Sequence, residues 1–210
     1  MRISQLGWVV AAAIVGVGIG GGFQAKTNKI GFIDMQGIYA DSKLKEKNDV
    51  KLRTANQNRQ MALDFLRLNP EFAADQLVRY RDLSTKETLT PAETAELAKL
   101  KSAAQDATNH FADLRQKPNP SPQDLKALND LGALNDSNKE ALAEWSRDFS
   151  QQLEAMQTAL NLSALEAIKQ AIAQNAKPQG YSVVFRENVA VYGSSNLATE
   201  TKKIVDKNAK

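Results

Sequence analysis

Cysteine is absent from the 210 residues, and histidine occurs once, as His110. Without thiols there is no disulfide framework, no thiol nucleophile and no cysteine-based zinc site. A lone histidine with no nucleophile motif beside it reads as a solvated helix residue rather than a catalytic base. The phosphate-binding pattern GxxxxGK[ST], the nucleophile elbow GxSxG and the zinc motif HExxH are missing as well. These absences argue against an enzyme, and no cofactor or metal is implied. Aromatics make up only 6% of the chain, and three of the six prolines sit together at Pro118, Pro120 and Pro122. Long proline-free intervals suit long helices. The composition, 42% hydrophobic and 24% charged, therefore describes an ordered, helix-rich and elongated molecule.

Residues 1–25 read as an export signal: Arg2 is followed by an uncharged run over residues 6–23, LGWVVAAAIVGVGIGGGF. Cleavage after Gly22 places small Gly20 and Gly22 at the recognised positions, whereas cleavage after Ala25 leaves bulky Phe23 three residues before the cut. An uncleaved anchor is the third reading, since the run reaches the lower limit for a membrane span. Loss of Arg2 lowers the net charge of +3 by one, so the mature chain is only slightly basic.

β-Strand patterning is confined to the two ends of what remains. KIGFIDM (29–35) alternates, with Ile30 and Phe32 on one face and Ile33 and Met35 on the other. YSVVFRENVAVYGSS (181–195) reads as a hairpin, with strands over 181–186 and 189–193 joined by Glu187 and Asn188. Three strands are too few for a stable sheet if the helices leave as arms. Several chains could pool them into a small barrel and remove the exposed edges. Residues 29–40 and 178–210 are thus the expected β body and oligomerisation region, with Ile30, Phe32, Ile33, Val183, Val184, Phe185, Val189, Val191 and Tyr192 as the candidate assembly residues.

Between the ends the period is helical. Residues 41–83 form the first arm helix, polar on every face at its start and interrupted at Asn69-Pro70. Lys43, Lys45, Lys47, Lys51, Arg53 and Arg59 there make either a solvated face or a positive collar for anionic partners. Residues 84–137 read as a helical hairpin extending the arm tip. Its first helix is opened by Thr90, Pro91 and Glu93, its second by Ser121, Pro122 and Asp124, and residues 132–137 end the second. Residues 138–177 form the returning arm helix, with a stripe of Leu142, Trp145, Phe149, Leu153, Met156, Leu160, Ala164, Ile168 and Ile172. Its mean spacing of about 3.75 residues exceeds the roughly 3.5 of a heptad seam, so a nearly straight helix packed antiparallel on the first is expected. A short last helix capped by Thr201 docks through Ile204 and Val205. The fold class is then α+β, mainly α: a small β body of one N-terminal strand and a C-terminal hairpin, bearing a long antiparallel helical arm.

KIGFIDMQGIYADS at one end and YSVVFRENVAVYGSSNLATETKKIVDKN at the other make the chain resemble the Skp (OmpH) family of periplasmic chaperones. The resemblance implies a homotrimer whose strands interlock in a small barrel, with helix pairs projecting like tentacles around a cavity. It further implies an ATP-independent holdase that keeps unfolded outer-membrane or other envelope proteins from aggregating in the periplasm. Residues 84–137 extend the arm beyond the family pattern. The candidate client contacts are the six basic residues above with Phe65, Phe72, Phe111 and Met156, although arm packing is the simpler reading of apolar stripes. A nucleic-acid partner is not expected, and a membrane surface becomes a partner if the anchor is retained. The alternative function is a structural or adaptor protein of the cell envelope, using the same body and arms to bridge partners.

Overall fold

The computed structural model describes residues 29–186 and 197–209. The export segment 1–25, the loop residues Glu187 and Asn188, and the expected strand carrying Val189, Val191 and Tyr192 lie outside the described residues. The chain runs β1 (Lys29–Ile33), α1 (Met35–Ala40), α2 (Lys43–Leu68), α3 (Ala74–Thr85), α4 (Pro91–Gln116), α5 (Pro122–Ala176), β2 (Tyr181–Arg186) and α6 (Ala198–Asn208). It is mainly α, with a small sheet in which β1 pairs with β2 in parallel.

Local hydrogen bonding sets most boundaries. β1 stops at Ile33 because the Asp34 carboxylate accepts from the backbone amides of Gln36 and Gly37, both at 3.0 Å, and opens α1. Met35 is consequently helical and does not share a strand face with Ile33. The Ser42 hydroxyl opens α2, and both expected capping boxes are formed, Thr90 with Glu93 and Ser121 with Asp124. At the other end, α5 stops at Ala176 and the chain enters β2 through Gly180, whose φ of 78° suits a residue without Cβ. Gly31 is tightly packed: a Cβ there would lie 2.9 Å from Leu197 Cδ1, so that side chain would have to shift.

Two expectations are corrected along the arm. α5 is continuous over 55 residues, so residues 132–137 do not end a helix. Gly132 costs a helix only about 1 kcal/mol, and the side chain of Asn135, inside the expected break, finds a tertiary partner in Glu71 instead. Residues 84–137 are not all at the tip either. α3 folds back along α2, bringing Asn58 Nδ2 to the Lys86 carbonyl at 3.4 Å and Lys51 to Glu87 at 3.4 Å, and α4 then climbs past the α2–α3 break. Only the end of α4, the turn over 117–121 and the start of α5 extend beyond that break.

Burial divides into two cores. The body core joins Ile33 and Ile38 to Ile168 and Ala171 of α5 and to Leu197 and Val205. The arm core joins Ala62 and Leu66 of α2, Phe72 of the break, Leu77 and Tyr80 of α3, Ala104 of α4, and Trp145 and Phe149 of α5. Thr201 does not cap α6, which begins at Ala198. Its hydroxyl is buried and accepts from Asn175 Nδ2 at 3.0 Å, tying α6 to α5. Val205 docks α6 as expected, with Ile204 beside it.

Candidate functional site

The sheet register places two faces with different duties. Gly31 pairs with Val184 and Ile33 with Arg186, and of these Ile33 is buried in the body core with Val184 packed against it. On the opposite face Ile30 pairs with Val183 and Phe32 with Phe185. The Phe32 and Phe185 rings lie near parallel with centroids 6.1 Å apart, and Ile30, Val183 and Phe185 remain 50%, 45% and 42% exposed. Two strands with one apolar face in water are marginal on their own. Among the expected assembly residues, then, Ile30, Phe32, Val183 and Phe185 share the outer face, while Ile33 and Val184 belong to the chain's own core.

The basic residues of α2 are drawn into contacts within the chain. Lys45 pairs with Asp49, Lys47 Nζ donates to the Ala209 carbonyl at 3.1 Å, and Lys51 pairs with Glu87. The Lys43 backbone amide donates to Asp206 at 2.7 Å. Arg59 lies over the Phe149 ring at 5.7 Å and donates to Gln152 Oε1 at 3.0 Å, and its burial lowers the guanidinium pKa from the ordinary value. The side chains of Lys43 and Arg53 make no ion pair among the described residues, which leaves them as the freest members of the set. Lys47, Lys51 and Arg59 are therefore braces between α2 and its neighbours.

Of the apolar candidates, Phe72 is corrected: it is fully buried at the centre of the arm core, with its ring 5.0 Å from Tyr80 and 6.0 Å from Phe65. Phe65 is half-buried beneath Lys101, Phe111 is half-buried beneath Arg115 at 5.7 Å, and Met156 is half-buried on α5. His110 is exposed on α4. No cluster of potential metal ligands occurs among the described residues.

Sequence reasoning missed the polar lock behind Phe72. Glu71 is 3% exposed and accepts from Thr108 Oγ1 and Asn135 Nδ2, both at 2.6 Å. Asn138 Nδ2 donates to the carbonyls of Pro70 at 2.7 Å and Phe72 at 2.8 Å. These bonds satisfy the non-helical backbone of the break and fasten it to α4 and α5. Beside them Arg81 pairs with Asp148 at 2.7 Å and covers the Trp145 and Phe149 rings at 5.5 and 5.4 Å. The Asn69-Pro70 break was the one sign that such a junction existed.

No described helix is long and apolar enough to cross a membrane. A scan against family models, a search of curated proteins and a search of solved structures found nothing that matches the chain.

Proposed function

We propose that the chain is an ATP-independent periplasmic holdase that binds unfolded outer-membrane proteins between the helical arms of a homotrimer. The observation that carries the reading is the outer face of the sheet, where Ile30, Phe32, Val183 and Phe185 present an apolar surface that one chain leaves in water. Three copies pooling these strands would cover it and set three arms around one axis. In this reading α2 and α5 are an antiparallel arm. Ile38, just before α2, shares the body core with Ile168, while Ala62 and Leu66 share the outer core with Trp145 and Phe149. Residue numbers thus rise along one helix as they fall along the other. Half-exposed Phe65, Phe111 and Met156, with Lys43 and Arg53, then offer weak and scattered contacts whose sum holds a client without folding it.

The test is dilution of a urea-unfolded β-barrel membrane protein into buffer containing the purified protein. Suppression of light scattering at one assembly per client, without nucleotide, is the expected result. Aggregation at the uncatalysed rate sinks the holdase reading.

A further inference from the structure

A cavity of about 390 Å³ opens where β1 passes into α1 against the body end of α5. Its wall is apolar, formed by Ile33, Met35, Leu165 and Ile168, and its polar rim includes Arg186 and Asn161. Volume and lining fall within the range of small-ligand sites. At about 30 Å³ for a water-sized group, the space holds roughly a dozen non-hydrogen groups.

The rim charges decide what would enter. Asp34 also lines the cavity, but its Oδ1 already accepts from two backbone amides as the cap of α1. The Arg186 side chain makes no ion pair or hydrogen bond among the described residues. A guanidinium offers a planar fork matched to a carboxylate, and the Asn161 amide supplies a further neutral donor. One guanidinium balances one carboxylate, so a second negative charge on a ligand would stand unpaired beside Asp34. An extended peptide would bring backbone amides against a wall with too few partners to satisfy them.

We propose that this cavity binds a monocarboxylate with an unbranched apolar chain of roughly ten carbons. The chain lies along Ile33, Met35, Leu165 and Ile168, and the carboxylate meets Arg186. This inference does not rest on the holdase reading. Calorimetric titration of the purified chain with decanoate, below its micellar concentration, tests it. Saturable binding of one decanoate per chain is expected, weakened at least tenfold by Arg186→Gln and abolished by the cavity-filling Leu165→Trp. Decyltrimethylammonium should not bind. Decanol binding as tightly as decanoate, or Arg186→Gln leaving decanoate binding unchanged, would overturn the proposal. So would a short apolar peptide with a free carboxy terminus that displaces decanoate at lower concentration. Should Leu165→Trp fail to fold, a diazirine-bearing decanoate keeps the question open to decision: photolabelling within residues 33–39 or 161–168 supports the site, and labelling confined elsewhere refutes it.

Discussion

Charge placed on the outer face of the sheet separates the two sides of β2. Ile30, Val183 and Phe185 each keep about half of their surface exposed in the single chain. Fully burying such a side chain is worth about 1.5–3 kcal/mol, so covering the remaining half yields about 1 kcal/mol for each residue. With Phe32 included, that amounts to about 3–4 kcal/mol per chain and about 10 kcal/mol across three chains. Association itself costs on the order of 4–15 kcal/mol, so the proposed trimer would have little surplus to lose. Phe185→Asp or Val183→Asp removes about 1 kcal/mol per chain and buries an unpaired carboxylate, a cost of several more. The midpoint for dissociation should rise at least about a hundredfold, given about 1.4 kcal/mol for each factor of ten. Sedimentation velocity and light scattering at micromolar concentration should then report monomer with unchanged helix content. Val184→Asp behaves differently, because Val184 packs on the chain's own core and its change should melt the body. A monomeric wild type, or Val183→Asp and Phe185→Asp variants that keep the wild-type mass, would refute the reasoning.

Four further outcomes are expected. Phe72→Ala should cost about 3–5 kcal/mol in urea unfolding and Phe111→Ala under about 1 kcal/mol, since only Phe72 is enclosed; equal losses would displace Phe72 from the core. Glu71→Ala leaves Thr108 and Asn135 without their acceptor, at no more than about 1–3 kcal/mol for each of these half-buried groups. Amide exchange should then quicken over residues 104–135, and an unchanged pattern counts against the lock. Glu93 and Asp124 are each held down to about 2, first by their hydrogen bonds to Lys86 and Lys117 and then by the capping residues Thr90 and Ser121. Their stabilisation is complete above the ordinary 4.5 and 3.8 and disappears as pH falls through about 2, so in that window wild-type helix content should fall more steeply than that of Glu93→Gln with Asp124→Asn. Gly132→Ala should raise stability by about 0.4–1 kcal/mol, because the position is helical and an added Cβ meets nothing within 4 Å; thermal destabilisation would contradict an uninterrupted α5.

What could be read from the chain was what is decided locally. Thr90, Pro91 and Glu93, and again Ser121, Pro122 and Asp124, close their hydrogen bonds within three residues, and both helix starts lie where the pattern puts them. The alternation in residues 29–33 and 181–186 likewise foretold two strands, although not that they run parallel. The reversal of α3 was not legible, because Asn69-Pro70 marks where a helix stops and not which way the chain leaves. Its direction is set by Glu71 and Phe72 meeting Thr108, Asn135 and Asn138, partners 37 to 66 residues away. Thr201 shows the same limit. Its side chain suits a local cap, yet Asn175 claims it first.

The separation of the two cores bears on how an arm would behave. Between them α2 crosses residues 43–61 with Asn48 as its one buried side chain, and Asn48 serves there as a donor to the Tyr39 hydroxyl at 3.3 Å. α5 faces this stretch with partly covered Leu153 and Met156 in place of the enclosed Trp145 and Phe149 further out. Polar braces such as Arg59 to Gln152 compete with water and contribute little to rigidity. Segments with few buried apolar contacts open at lower free energy than packed cores. Bending should therefore concentrate between the body and the arm core, while the aromatic cluster and the Glu71 lock keep the outer arm a single unit.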